Sequence, residues 1–351
     1  MLLKRVLVSA LCVMAVACGS SGSPSSPSTT TSTVPTSFKA ATQQVTLTAN
    51  LITFTWSGST SSYKVTIGTG PGLSDVLSTT VSTSSYDWIA PRTANVYYAR
   101  VANASGDTAS AQEVPVFTLD LRNVIDAMYF GGGPMSETPT VNPGNAPAAV
   151  FADGVAVTVI VTNEAAPTQT SVVNSFISDY LSASGNAFPI AVTNSVADYK
   201  GAALSALPEN TVAVRVFGLC TQTGVIACAN YGPTPVGSNR SYVNMNLAST
   251  AASLAVGHEI GHSFGIHHVV ATSAARSEYA FLMNPALINP DGRLTAVEKN
   301  AISAARAGGI RNGWTRNQAL AAGLVLPFTG LSSGTPAVWL NDIIRSPDDI
   351  R

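Results

Sequence analysis

Hydrophobic and polar residues alternate with a period of two in the part of the sequence that follows the N-terminal region. The alternation runs through residues 45–49, 51–56, 63–68 and 96–103, with turn-forming residues between these segments. Because successive side chains of a strand point to opposite faces, the pattern predicts short strands that each bury one face. We therefore predict an all-β domain over residues 41–117.

The pattern changes after residue 117, where apolar runs and helical spacing occur together. Three apolar runs predict buried strands, at residues 155–161, 210–217 and 241–247. Apolar side chains at helical spacing predict two helices, at residues 168–181 and 295–307. We therefore predict a second domain of α+β type over residues 118–309.

A tryptophan at the end of one predicted strand and a tyrosine within a later strand mark the all-β domain. These residues are Trp56 and Tyr98. Their placement among short strands resembles fibronectin type III and immunoglobulin-like β-sandwiches. We expect both side chains to pack in the core, with ligand contact as the alternative. The resemblance allows a glycan or another surface ligand for this domain.

All four histidines of the chain lie within residues 258–268, which read His-Glu-Ile-Gly-His-Ser-Phe-Gly-Ile-His-His. His258 and His262 are four residues apart, so on a helix they project from one face. Gly265 can end that helix in a left-handed conformation and turn the chain so that His268 supplies a third imidazole. Three protein ligands leave a fourth tetrahedral position for water, which is typical of catalytic zinc sites.

The helix that carries the first two histidines is predicted to begin near Ser249 or Thr250. Either hydroxyl can cap the first free amides of a helix. His267 competes with His268 as the third ligand, but the spacing from His262 favours His268. We expect His267 to lie at the surface or behind the ligands.

The His-Glu-x-x-His-x-x-Gly-x-x-His motif resembles that of the metzincin zinc metallopeptidases. This resemblance implies Zn²⁺ as the cofactor and a protein or peptide as the substrate. It also implies that Glu259 is the general base, which takes a proton from the attacking water and passes it to the leaving amine. A methionine-containing turn is expected beneath the metal, and Met283 stands in that position. An ordinary buried methionine is the alternative.

The residues around Met283 bear on the metzincin subfamily. The Met-Asn-Pro sequence and the predicted helix at residues 294–302 resemble matrixins. Pro285 stands where astacins and serralysins carry a tyrosine ligand, so no such ligand is expected here. Val269 follows the third ligand where the best-known subfamilies have Ser, Asp or Glu, and a long stretch, 269–280, precedes the methionine. These departures leave the subfamily open.

The N-terminal region has the features of a targeting segment. A short basic region is followed by an apolar run at residues 6–17, which is too short to span a membrane. Residues 15–19 resemble a bacterial lipobox, which implies a signal peptide at 1–18 and lipidation of Cys18; an ordinary secretory signal is the alternative. The Ser/Thr/Pro-rich residues 19–40 predict a tether. We expect an exported bacterial protein, either a membrane-anchored cell-envelope lipoprotein or a secreted one.

Two cysteines lie outside the targeting segment, Cys220 and Cys228. In an exported protein such a pair predicts a disulfide that closes a short loop. Metal binding is the alternative, but no further cysteine or histidine lies nearby in the sequence.

The composition bounds the class of protein. The chain is 46% hydrophobic and 11% charged with a formal net charge of −1, which predicts a globular protein. No basic stripe is present to neutralise phosphates, so nucleic acid is excluded as a partner. Residues 310–351 are apolar and interrupted by Gly and Pro, and they either pack on the catalytic domain or form a small extension.

Together these patterns predict a multidomain protein, in which an all-β sandwich precedes an α+β metzincin-type zinc peptidase domain. The leading hypothesis for function is a zinc endopeptidase acting outside the cytoplasm. The alternative is a cell-surface binding lipoprotein whose β-sandwich is the working part and whose peptidase domain is inactive. The intact Glu259 favours the enzyme, because a binding scaffold has no need of a general base.

Overall fold

The computed structural model describes residues 34–92, 95–106, 111–131, 147–197, 199–217, 220, 225–229, 239–246, 250–269, 281–284, 292–324 and 342–345. Within these residues the chain forms thirteen strands in three β-sheets and five α-helices, so the architecture is β-rich. We refer to residues 34–118 as the N-terminal β region and to residues 119–345 as the α+β region. No helix in the described part of the chain is long and apolar enough to cross a membrane.

The N-terminal β region contains two antiparallel sheets. The three-stranded sheet has the order β1-β2-β5, with bounds β1 Thr36–Val45, β2 Asn50–Ser57 and β5 Ser85–Ala90. The four-stranded sheet has the order β4-β3-β6-β7, with bounds β3 Tyr63–Gly68, β4 Leu77–Val81, β6 Asn95–Asn103 and β7 Gln112–Thr118. Burial alternates along β2, as the period of two predicts.

Aromatic side chains fill the core of this region. Trp56 packs edge-on against Tyr63, with ring centroids 5.4 Å apart, and Trp88 packs in the same way against Tyr97 at 5.3 Å. The prediction that Trp56 lies in the core is therefore confirmed. The same prediction for Tyr98 is wrong, because the register of β6 directs Tyr97 into the core and leaves Tyr98 partly exposed on the opposite face.

The predicted strand at residues 45–49 is also wrong, because Val45 ends β1 and residues 46–49 form the turn between β1 and β2. The amide of Thr46 donates to the carbonyl of Ala49 over 2.8 Å, and the Thr46 hydroxyl accepts from the Ala49 amide over 3.0 Å. A threonine side chain that bonds nearby backbone groups competes with strand pairing. Strand β1 instead begins at Thr36, within the predicted tether.

The α+β region is built on a six-stranded sheet with the order β13-β11-β12-β10-β8-β9. Its strands are β8 Val157–Thr162, β9 Ile190–Ser195, β10 Thr211–Val216, β11 Val225–Ala229, β12 Arg240–Met245 and β13 Asp342–Arg345. Strands β9, β8, β10 and β12 are parallel, whereas β11 is antiparallel to both β12 and β13. Strands β8, β10 and β12 confirm the three strands that the apolar runs predicted.

The described residues of this region also form five α-helices. They are α1 Leu121–Phe130, α2 Ala166–Ala183, α3 Thr250–Ser263, α4 Ala296–Ala307 and α5 Arg316–Ala321. Helices α2 and α4 confirm the helices predicted at residues 168–181 and 295–307. Helix α3 begins at Thr250, one of the two predicted starts. Helix α1 was not predicted, although its apolar residues Leu121, Val124, Ile125 and Met128 stand at helical spacing.

Part of the C-terminal segment belongs to the core of the α+β region. The side chains of Ile310, Ala319 and Leu324 are buried in the same apolar cluster as α1, α2 and α3. Of the two possibilities for residues 310–351, packing on the preceding domain is therefore correct for residues 310–324.

Cys220 and Cys228 form a disulfide, as predicted, with their Cα atoms 5.9 Å apart. The bond ties the chain after β10 to strand β11. We expect the double variant Cys220→Ala/Cys228→Ala to lose about 2–3 kcal/mol of unfolding free energy, the value for closing a loop of this length. Urea unfolding measures the loss, and a reductant is the control, since it should destabilise the wild type but not the variant. Equal urea midpoints for the two proteins would contradict this expectation.

Candidate metal centre

Three imidazoles converge at the C-terminal end of α3. The Nε2 atoms of His258 and His262 are 2.8 Å apart, and the Nε2 atom of His268 lies 3.1 Å and 3.2 Å from them. Nitrogen ligands about 2.0–2.1 Å from a tetrahedral zinc ion lie roughly 3.3 Å from one another. The three predicted ligands are therefore brought together at nearly the spacing that one ion requires.

Backbone carbonyls set the tautomers of the two helical histidines. The Nδ1 atom of His258 lies 2.5 Å from the carbonyl oxygen of Leu282, and Nδ1 of His262 lies 2.6 Å from that of Ile266. A carbonyl oxygen only accepts, so each Nδ1 carries the proton and each Nε2 presents a lone pair to the centre of the triangle. Lone pairs facing each other repel unless a cation lies between them, so the donor set fits a divalent metal such as zinc.

The turn after α3 has the conformation that the motif predicts. Gly265 has a φ of +80°, and its amide donates to the carbonyl of His262 over 2.8 Å. A Cβ atom at Gly265 would lie 1.3 Å from the carbonyl oxygen of Ala149. Glycine is thus required twice here, for its left-handed backbone and for the close approach of a second chain segment. Only the first requirement is readable from sequence.

We expect Gly265→Ala to lower the unfolding free energy by at least about 2 kcal/mol and to weaken zinc binding. The backbone strain of alanine at a positive φ adds to the collision of its Cβ atom with the Ala149 carbonyl. The matched control is Gly309→Ala, since Gly309 has a similar φ of +73° but nothing within 4 Å of a Cβ atom. Urea unfolding of the metal-free proteins and zinc titration against a chromophoric chelator measure the two effects. Equal losses in the two variants would show that the contact with Ala149 is unimportant.

Met283 lies against α3 between the first two ligands. It is fully buried, and a Cβ atom on Gly261 would lie 2.4 Å from the Met283 sulfur. Gly261 therefore leaves room for this side chain against α3. The carbonyl of Met283 also accepts from the amide of Val269 over 2.9 Å. Sequence reasoning placed Met283 here but missed the role of Gly261, which stands at a variable position of the motif.

A buried carboxylate holds the methionine turn. Glu298, on α4, accepts from the amides of Met283 over 2.8 Å and Leu282 over 3.1 Å. It also accepts from the amide and the hydroxyl of Thr295, each over 2.8 Å. Burial raises the pKa of the Glu298 carboxyl, and these hydrogen bonds oppose that rise. The Thr-x-x-Glu spacing signals a helix cap, but it contains no information about the bonds to Leu282 and Met283.

The predicted base and the fourth histidine are both buried. Glu259 follows His258 on α3, and its side chain is fully buried. His267 is 8% exposed, so it does not lie at the surface, and it is not one of the three converging imidazoles. Its amide donates to the carbonyl of Met128 over 2.7 Å. His268 is the ligand that remains partly exposed.

Aromatic packing anchors the end of α3 that carries the ligands. The ring of Phe264 lies 4.9 Å from that of Tyr180, 5.4 Å from Phe151 and 5.8 Å from Phe176, measured between centroids. All four side chains are fully or almost fully buried. Phe264 lies inside the histidine motif, yet its role as an anchor depends on partners far away in sequence.

Several predicted features lie outside the described residues, namely the signal segment 1–18 with Cys18, Ser249, Pro285 and most of the stretch 269–280. Comparison of the chain with known protein families and with curated proteins gave no match. Function is therefore inferred from the residues of the candidate metal centre themselves.

Proposed function

We propose that this protein is a zinc-dependent endopeptidase of the metzincin type, which hydrolyses peptide bonds of proteins outside the cytoplasm. The observation that carries the proposal is the convergence of the Nε2 atoms of His258, His262 and His268 within 3.2 Å of one another. Zinc held there supplies a Lewis acid that polarises the scissile carbonyl and acidifies water.

Residues of the chain itself transfer the proton and hold the ligands. Glu259 accepts the proton of the attacking water and delivers it to the leaving amine. Its burial supports this role, because a carboxylate removed from bulk water interacts more strongly with developing charge. The carbonyls of Leu282 and Ile266 keep two ligands in the binding tautomer. Met283 supports the helix that presents these ligands.

The proposal includes the domains and the location of the protein. Residues 41–117 are a fibronectin type III or immunoglobulin-like sandwich, and residues 118–309 are the catalytic domain. Two antiparallel sheets around one aromatic core support the first assignment. The protein is exported and either lipidated at Cys18 or secreted. A glycan or another surface ligand is the candidate partner of its sandwich domain.

Casein hydrolysis by the mature chain tests the proposal. Zinc-loaded protein should cleave casein, lose activity with a zinc chelator and regain it when zinc is restored, with one zinc ion bound per chain. Activity that survives chelation overturns the peptidase assignment. Zinc-loaded protein that cleaves neither casein nor peptide libraries favours the alternative, in which the sandwich of a surface lipoprotein is the working part.

A further inference from the structure

The C-terminal segment of residues 310–324 touches two elements that support the third ligand. We call residues 265–268, between the end of α3 and His268, the third-ligand turn. One supporting element is the extended segment 148–150, and the other is helix α1. Each is bonded to the C-terminal segment on one side and touches the third-ligand turn on the other.

The first connection runs through the backbone around Ala149. The amide of Ala148 donates to the carbonyl of Trp314, and the amide of Gly313 donates back to the carbonyl of Ala148, both over 2.7 Å. The side-chain oxygen of Asn312 accepts from the amide of Val150 over 3.2 Å. Ala149 is therefore held from both sides, and its carbonyl oxygen occupies the space that a Cβ atom on Gly265 would need.

The second connection runs through a buried ion pair. Arg316 donates through Nε to the Asp126 carboxylate over 2.8 Å, with side chains only 2% and 0% exposed. Asp126 lies on α1, and the carbonyl of Met128, on the same helix, accepts from the amide of His267 over 2.7 Å. The ion pair thus holds the helix that fixes the residue before the third ligand.

The three ligands differ in what holds their backbone. His258 and His262 are on a regular helix, whose own hydrogen bonds maintain their spacing. His268 lies on irregular backbone, where position depends on contacts from neighbouring segments. Partners that orient metal ligands from outside the ligand set commonly change metal affinity when they are removed.

We propose that residues 310–324 are a positioning element of the metal centre, which holds the third-ligand turn so that His268 can complete the site. Arg316 and Asn312 are its positioning residues. The inference rests on the proposed metal centre, and it assigns a role to a segment that lies outside the motif and outside the predicted catalytic domain.

Cobalt binding to the full chain tests the inference, because the visible spectrum of Co²⁺ reports its coordination. The double variant Asp126→Leu/Arg316→Met removes both buried charges together, so neither partner is left unpaired. We expect its dissociation constants for Co²⁺ and Zn²⁺ to rise by about 10-fold or more. We also expect weaker visible absorption of the bound Co²⁺, as an imidazole is replaced by water.

A milder pair of variants separates a loss of positioning from misfolding. Asn312→Ala removes an exposed side chain that bonds Val150, and Asn317→Ala removes an exposed asparagine of the same segment as the matched control. Asn312→Ala should weaken cobalt binding by a few-fold with a native circular dichroism spectrum, and Asn317→Ala should leave binding unchanged.

The outcomes separate the inference from the proposed function. Wild-type affinity and spectrum in both the double variant and Asn312→Ala would overturn the positioning role and leave the peptidase proposal intact. An equal loss in Asn312→Ala and Asn317→Ala would also overturn it. A wild-type chain that binds neither Co²⁺ nor Zn²⁺ would overturn the proposed function, and the inference with it.

Discussion

Glu259→Gln is expected to lower kcat/KM for a cleaved peptide by about 100-fold to 10,000-fold, with zinc still bound at one ion per chain. Glutamine has nearly the same shape as glutamate but cannot take a proton from water at neutral pH. Because glutamine keeps the volume of this fully buried side chain, we expect the unfolding free energy of the metal-free protein to change little. A loss of activity without a loss of metal or stability would identify a chemical role.

The control for this variant is Glu164→Gln, which makes the same chemical change at a partly exposed glutamate paired with Lys200. Its activity should equal that of the wild type, because a surface ion pair contributes little to stability and Glu164 lies outside the metal centre. Peptide cleavage, zinc analysis and urea unfolding are measured for both variants. Glu259→Gln activity within about twofold of the wild type would exclude Glu259 as the base.

Glu298→Ala is expected to lower the unfolding free energy by at least about 3 kcal/mol, because several buried donors lose their acceptor at once. The donors are the amides of Leu282, Met283 and Thr295 and the hydroxyl of Thr295. Zinc affinity should fall by about 10-fold to 100-fold, since the carbonyl of Leu282 orients His258. Urea unfolding without metal and zinc titration against a chelator measure these changes separately.

Glu298→Gln provides the graded control. It keeps one acceptor oxygen and the volume of the side chain, so both losses should be intermediate between the wild type and Glu298→Ala. An ordinary helix cap contributes about 1 kcal/mol and has no effect on a distant ligand. If Glu298→Ala costs only that amount and leaves zinc affinity unchanged, Glu298 caps α4 but does not support the metal centre.

Local patterns predicted much of the fold and most of the candidate site. The alternation in β2, the apolar runs of β8, β10 and β12 and the helical spacing of α2 each describe the geometry of consecutive residues. The motif spacing also predicted that His258 and His262 share a helix face and that Gly265 ends the helix. Where the local pattern was ambiguous the prediction failed, as for Tyr98, whose neighbour Tyr97 faces the core instead.

The sequence alone was enough to identify the residues of the candidate metal centre, because the spacing of His258, His262, Gly265 and His268 encodes a helix, a turn and three nitrogens over a short stretch of chain. What holds these residues in place depends on tertiary contacts. The bonds from Glu298 to the methionine turn and the close contact of Ala149 with Gly265 join residues far apart in sequence. Such contacts arise from the packing of whole elements, and the periodicity of neighbouring residues contains no information about them.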